Sequence, residues 1–150
     1  MKIILIFVFK KIFINSIMKL NGLMAFVLFS VIMLVLDAVY LNVIAGEFGK
    51  MIGKIQGSKM EVNMMAAAVV YVALVLAWYT FIYPDIGKKD LKDVMCRAFI
   101  LGLCIYATYD FTNMAIIKGY RLDLSLIDSV WGGLLYATST YLYVFISSLV

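Results

Sequence analysis

Three aspartates, Asp37, Asp110 and Asp128, stand inside stretches that are otherwise apolar. An aspartate at the centre of a spanning helix costs about 2.5–3.5 kcal/mol on insertion scales, and less near the ends. Three such groups facing lipid are hard to tolerate, so they are expected to face one another. Closely packed carboxyls cannot all ionise, which equips them to share protons or bind a cation. Polar partners occur at helical spacing. Tyr106, Asp110 and Asn113 follow i, i+4, i+7, with Tyr109 and Thr112 alongside. Tyr40 lies one turn after Asp37, and Trp131 one turn after Asp128, on a stripe that continues through Tyr136, Ser139 and Tyr143. Tyrosine hydroxyls and the Asn113 amide can donate to charged oxygens, and Lys118 or Arg121 can snorkel back to neutralise one. The candidate pocket is therefore Asp37, Tyr40, Tyr106, Tyr109, Asp110, Thr112, Asn113, Asp128 and Trp131. The plainer reading is that these groups only fasten helices together. On it, Asp128 is an acid favoured by a nearby helix N-terminus.

Other chemistries find little support. The chain has no histidine, which removes Ser–His and Cys–His nucleophile pairs and the commonest zinc sites. A metal site is left open, and no cofactor is expected. Cys96 and Cys104 are eight residues apart in one predicted helix, so their Cα atoms are about 12 Å apart, too far for a disulfide. They read as small buried hydrophobes. Tyr109-Asp110 is similar to the YD pair of intramembrane aspartyl proteases, but the partner GxGD motif is missing. An aspartate-dependent enzyme is therefore the weaker alternative.

The elements that position these residues follow from hydropathy. Of 150 residues, 65% are hydrophobic and 15% charged, and the mean hydropathy is +1.03. So small a water-soluble domain cannot hide that much apolar surface; a bilayer solvates it. The pattern predicts an all-α integral membrane bundle of four transmembrane helices at about 20–44, 64–83, 98–117 and 124–149. Each is long enough for a hydrocarbon core of about 30 Å. Residues 1–17 read as an N-terminal extension or interfacial helix, and 18–150 as the membrane domain. Gly46–Asn63 reads as a surface turn or interfacial helix, Asp85–Arg97 as a charged loop, and Lys118–Asp123 as a tight turn. Asp37 and Asp110 each lie seven residues before a predicted helix end, and Asp128 four after a predicted start. All three thus fall toward one membrane face, at depths of roughly 6–11 Å.

Small residues spaced for close helix packing (Ala66, Ala73 and Ala77; Ala98 and Gly102; Ser129, Gly133 and Ala137) are expected at helix contacts. Trp78, Tyr79 and Tyr83 read as an interfacial belt. The net charge of +4 comes from flanking Lys and Arg, with no dense basic run of the kind that binds nucleic acid. Counting basic residues by loop gives eight on the side of both termini against five opposite, which places the termini in the cytoplasm. A start at Met18 would make the count five against five.

Three stretches carry a resemblance: Leu36-Asp37-Ala38-Val39-Tyr40-Leu41, Tyr106-Ala107-Thr108-Tyr109-Asp110-Phe111-Thr112-Asn113, and Asp128-Ser129-Val130-Trp131-Gly132. From about Met18 onward the chain resembles a predominantly bacterial membrane family, domain-of-unknown-function family 2177. The resemblance implies a four-span inner-membrane protein, with recurring acids at Asp37, Asp110 and Asp128 and a recurring amide at Asn113. Tyr40 stands where the family often carries Trp. The family has no established activity. The expected role is an acidic pocket for a cation, proton or polar small ligand, in transport or sensing. Transport would require a homo-oligomer. The alternative is a structural or assembly protein.

Overall fold

A computed structural model describes residues 22–149. The 1–17 segment lies outside the described residues. Those described form four α-helices and no strand: α1 (Gly22–Gln56), α2 (Met64–Phe81), α3 (Leu91–Ile116) and α4 (Leu122–Ser147), with a 3-10 turn at Tyr83–Asp85 after α2. Three of them are long and apolar enough to cross a membrane: α1, α2 together with its 3-10 turn, and α3. Their outer surfaces carry Val31, Val35, Val39, Val69, Val72 and Ile100, all exposed. Lipid can solvate such surfaces; water cannot do so cheaply.

α4 is as long as α3, but its apolar run is broken by small and hydroxyl residues, which the other helices cover. Ser125, Ser129, Gly132, Gly133, Ser139 and Thr140 are all buried in it. Its hydroxyls need not face lipid. Several bond inward to their own helix, as Ser129 Oγ does to the Ser125 carbonyl (2.6 Å) and Thr140 Oγ1 to that of Tyr136 (2.6 Å). α3 lies closest to α4, and glycine sets the spacing. A Cβ on Gly102 would strike the Gly132 carbonyl oxygen, and one on Gly132 would strike the Tyr106 ring. The expected contacts at Ala98, Gly102, Ser129 and Gly133 are therefore present, all four residues being buried. Ala66 and Ala73 are exposed instead. α2 meets α1 and α4 through larger side chains, so its alanines have no close neighbour to admit.

At the end of the bundle that carries the 3-10 turn, Trp78 is fully buried, stacked on Phe29 with centroids 3.8 Å apart, and donates to Thr140 Oγ1 (3.0 Å). Tyr136 donates to the Leu74 carbonyl (2.7 Å). Trp78 is thus a core anchor for α2, not part of an interfacial belt. The sequence reading missed this because an indole N–H can be satisfied inside a protein as well as by headgroups.

The first connection differs most from expectation. α1 does not stop near Ile44 but runs on to Gln56, so Gly46–Gln56 is neither turn nor separate helix. Its 35 residues reach about 52 Å, well past a hydrocarbon core of about 30 Å. The overhang from Gly46 onward packs on the α3–α4 turn. Met51 is buried there, and its Sδ accepts the Arg121 N–H (3.2 Å). Gly57, at φ +74°, follows the last helical residue and permits the reversal. Asn63 then caps α2, its Oδ1 accepting from the Met65 and Ala66 N–H groups (3.1 and 3.0 Å). Part of the charged second loop is also helical, since α3 begins at Leu91. Cys96 and Cys104 are exposed on α3, not buried.

Candidate functional site

The aspartates are best followed through their donors. Asp37, on α1, is buried, and both its oxygens are engaged: Trp131 Nε1 of α4 donates to Oδ1 (2.8 Å) and the Tyr71 hydroxyl of α2 to Oδ2 (2.6 Å). One carboxyl group thereby joins three helices. Asp128, on α4, accepts the Tyr40 hydroxyl of α1 at Oδ1 (2.8 Å). The Tyr40 ring stacks on the Trp131 indole with centroids 4.4 Å apart. Asp110, on α3, is fully buried and accepts the Tyr120 hydroxyl at Oδ1 (2.9 Å). Its side chain lies against that of Asp128, and Asn113 lies beside the Tyr120 hydroxyl.

The three acids share a level. Asp110 lies six residues before the end of α3 and Asp128 six after the start of α4, each about 9 Å along the axis from 1.5 Å per residue. Tyr71, seven residues into α2, brings Asp37 to the same height. Because α1 continues past the bilayer, Asp37 lies nineteen residues before its end, not seven. Its level is set by its partners. Nor is Asp128 a first-turn acid; Asp123 takes that place.

The donors to these carboxyls are neutral. Among the described residues no Lys or Arg pairs with Asp37, Asp110 or Asp128. Arg121 turns the other way, toward Glu47 Oε2 of the α1 overhang (2.9 Å) and Asp123 (2.5 Å). Outside the membrane-crossing stretches, this arginine holds the Asp123 carboxyl below its ordinary range.

A cavity of about 640 Å³ opens between α2 and α3. Its apolar walls include Val70, Ala73, Leu74 and Ile105, and its polar groups are Asp37, Tyr71, Tyr106, Tyr109 and Asp128. Tyr109 is 63% exposed and stands at the rim. Asp110 is behind the wall, in contact with Asp128. Thr112 is exposed and makes none of these bonds, because a helical residue two positions from Asp110 points away from it. Tyr71 and Tyr120 are partners that sequence reasoning missed. Tyr71 stands in an uncharged helix, and Tyr120 in a turn; their only signal was a hydroxyl at the depth of an acid.

Residues 22–145 match the family described as "Predicted membrane protein (DUF2177)". The chain belongs to that family. The match contains every candidate residue, from Asp37 to Trp131, and all four helices but for the end of α4. No curated protein and no solved structure matches this DUF2177 member. It is a membrane protein of a family without an assigned function, and the apolar surfaces of α1, α2 and α3 fit it to a lipid bilayer.

Proposed function

We propose that this DUF2177 member is a four-span bundle that binds a small cation, a proton or a polar small ligand in the cavity between α2 and α3. The role fits transport or sensing. One observation carries the reading: Asp37 and Asp128 border a cavity large enough for a small molecule, and no Lys or Arg among the described residues neutralises them. Intramembrane acids that face a cavity and have no cation are candidates for ligand contact. α4 is the fourth span on this reading. Its length equals that of α3, and Ser125, Ser129, Ser139 and Thr140 are buried inside the bundle. The membrane domain is then residues 18–150. The basic residues favour both termini in the cytoplasm of a bacterial-type cell, and permeation would require several copies to assemble.

A fastening role has its own support, since Asp37 ties α1, α2 and α4 with both oxygens. Thermal unfolding in detergent separates the two. Sodium, potassium, magnesium and methylammonium salts serve as probes against a common ionic strength. On the binding reading at least one raises the unfolding midpoint saturably in wild type, and the effect disappears in Asp128→Asn. Neutralisation that lowers stability while no probe acts on wild type would support fastening alone.

A further inference from the structure

One buried atom at the proposed site has no partner. Asp110 Oδ1 takes the Tyr120 hydroxyl, but Oδ2, fully enclosed, has no N–H or O–H donor. The same side chain meets the Asp128 carboxyl. Two ionised carboxylates lying against each other repel strongly where water is excluded, and an unpaired charged oxygen there adds a desolvation cost. One proton between them removes both penalties. It turns the repulsion into an O–H···O⁻ bond and gives the buried oxygen its partner.

Among the described residues the surroundings contain nothing else that could do this. α1 presents Asp37 and Tyr40, the latter donating to Asp128. α2 presents Tyr71, whose hydroxyl is committed to Asp37. α3 adds Tyr106, and the α3–α4 turn adds Tyr120 with the Asn113 amide beside it. Arg121 is held by Glu47 and Asp123. Among the described residues no three acids, cysteines or histidines are grouped to hold a metal ion.

We infer that Asp110 and Asp128 bind a single proton as a pair, and that Asp128, which borders the cavity, is where it enters and leaves. This rests on the cavity reading and names the ligand of its inner wall. The step moves H⁺ alone: an O–H bond at one carboxyl breaks as one forms at the other, with no change in oxidation state. The proton departs from Asp128 to water or to a base in the cavity. A cation arriving beside Asp37 and Asp128 disfavours the proton, so the two compete by linkage.

Infrared spectroscopy of the full chain in lipid bilayers tests the inference, at about pH 6, where an isolated aspartate of pKa near 3.9 is ionised. Wild type is expected to show the carbonyl band of one protonated carboxyl, shifted by deuterium exchange. That band is absent from Asp110→Asn and from Asp128→Asn and retained in Asp37→Asn. A folded wild type with no such band overturns the inference, and that measurement needs no variant. So does a band that survives both substitutions in the pair. Probe cations that stabilise wild type while the band is missing would sink the proton pair and leave the cavity reading standing. A band without any probe binding would leave the proton pair standing and remove the probe cations from the cavity reading.

Discussion

At the scale of single residues, Asp37 and its two donors do most to specify the arrangement. Trp131 of α4 gives its indole N–H to one oxygen, and Tyr71 of α2 gives its hydroxyl to the other. Asp37→Leu keeps the bulk but strands both donors. It is expected to cost about 1–3 kcal/mol for each one left buried without an acceptor. Asp37→Asn keeps an acceptor for Trp131 and can donate to the Tyr71 oxygen, so it costs much less. Denaturation in detergent micelles measures both, and equal losses would show that the bonds are not what the carboxyl supplies. The acids were legible in the sequence because charge inside an apolar run is rare. Which donor each would take was not, since ten tyrosines are available and only packing selects among them.

At the scale of elements, α3 and α4 approach through glycine, while Gly46 in the α1 overhang faces open space. Gly102→Ala drives a methyl group into the Gly132 carbonyl and is expected to destabilise the bundle by about 1–3 kcal/mol. Gly46→Ala, with nothing within 4 Å, should be neutral or stabilise α1 by up to about 1 kcal/mol. The same unfolding assay decides, and a GxxxG-type contact at Gly46 would reverse the second sign. The overhang is pinned by Arg121. Hydrogen bonds from Lys50 and then Arg121 hold the Glu47 carboxyl below its ordinary range, as Arg121 holds Asp123. Carboxyls depressed in the folded state add stability above their unfolded pKa and lose it as pH falls through the folded value. Being exposed, they add little. A spin label at Lys54→Cys, with Cys96 and Cys104 replaced by Ala, should therefore gain mobility only below about pH 4. It should be mobile at every pH once Glu47 and Asp123 are both amidated. The overhang was hidden in the sequence because four glycines and three lysines read as a turn. Gly46, Gly49 and Gly53 sit inside the helix, held by Met51 on the neighbouring turn.

For the whole molecule, hydropathy announced the helices in their order, but it ranked them by lipid exposure and not by importance. α4 lacks the long apolar window of the other three and is the helix that the others surround. Its serines, threonine and glycines look like a weak span until the helices packed on them are in place. An acidic pocket was an expectation from the sequence, but the α2 wall of the cavity was not legible in it. The cavity exists because α2 is held to α1 and α4 by Trp78, Tyr136 and Tyr71, while on that side, among the described residues, α3 is tied only to the turn after α2, through Arg97 and Asp85. That gap leaves Asp37 and Asp128 reachable. Neighbouring α2 residues give the most direct test, since Val70 borders the cavity and Val69, at the same depth, does not. In a chain free of Cys96 and Cys104, single Val70→Cys and Val69→Cys substitutions are treated in liposomes with small thiol reagents of either charge. The account predicts that Val70→Cys reacts, faster with the cationic reagent than with the anionic one, and that Asp37→Asn or Asp128→Asn narrows the difference. Val69→Cys should stay inert. Equal reactivity at the two positions, or a charge preference untouched by either aspartate, would contradict it.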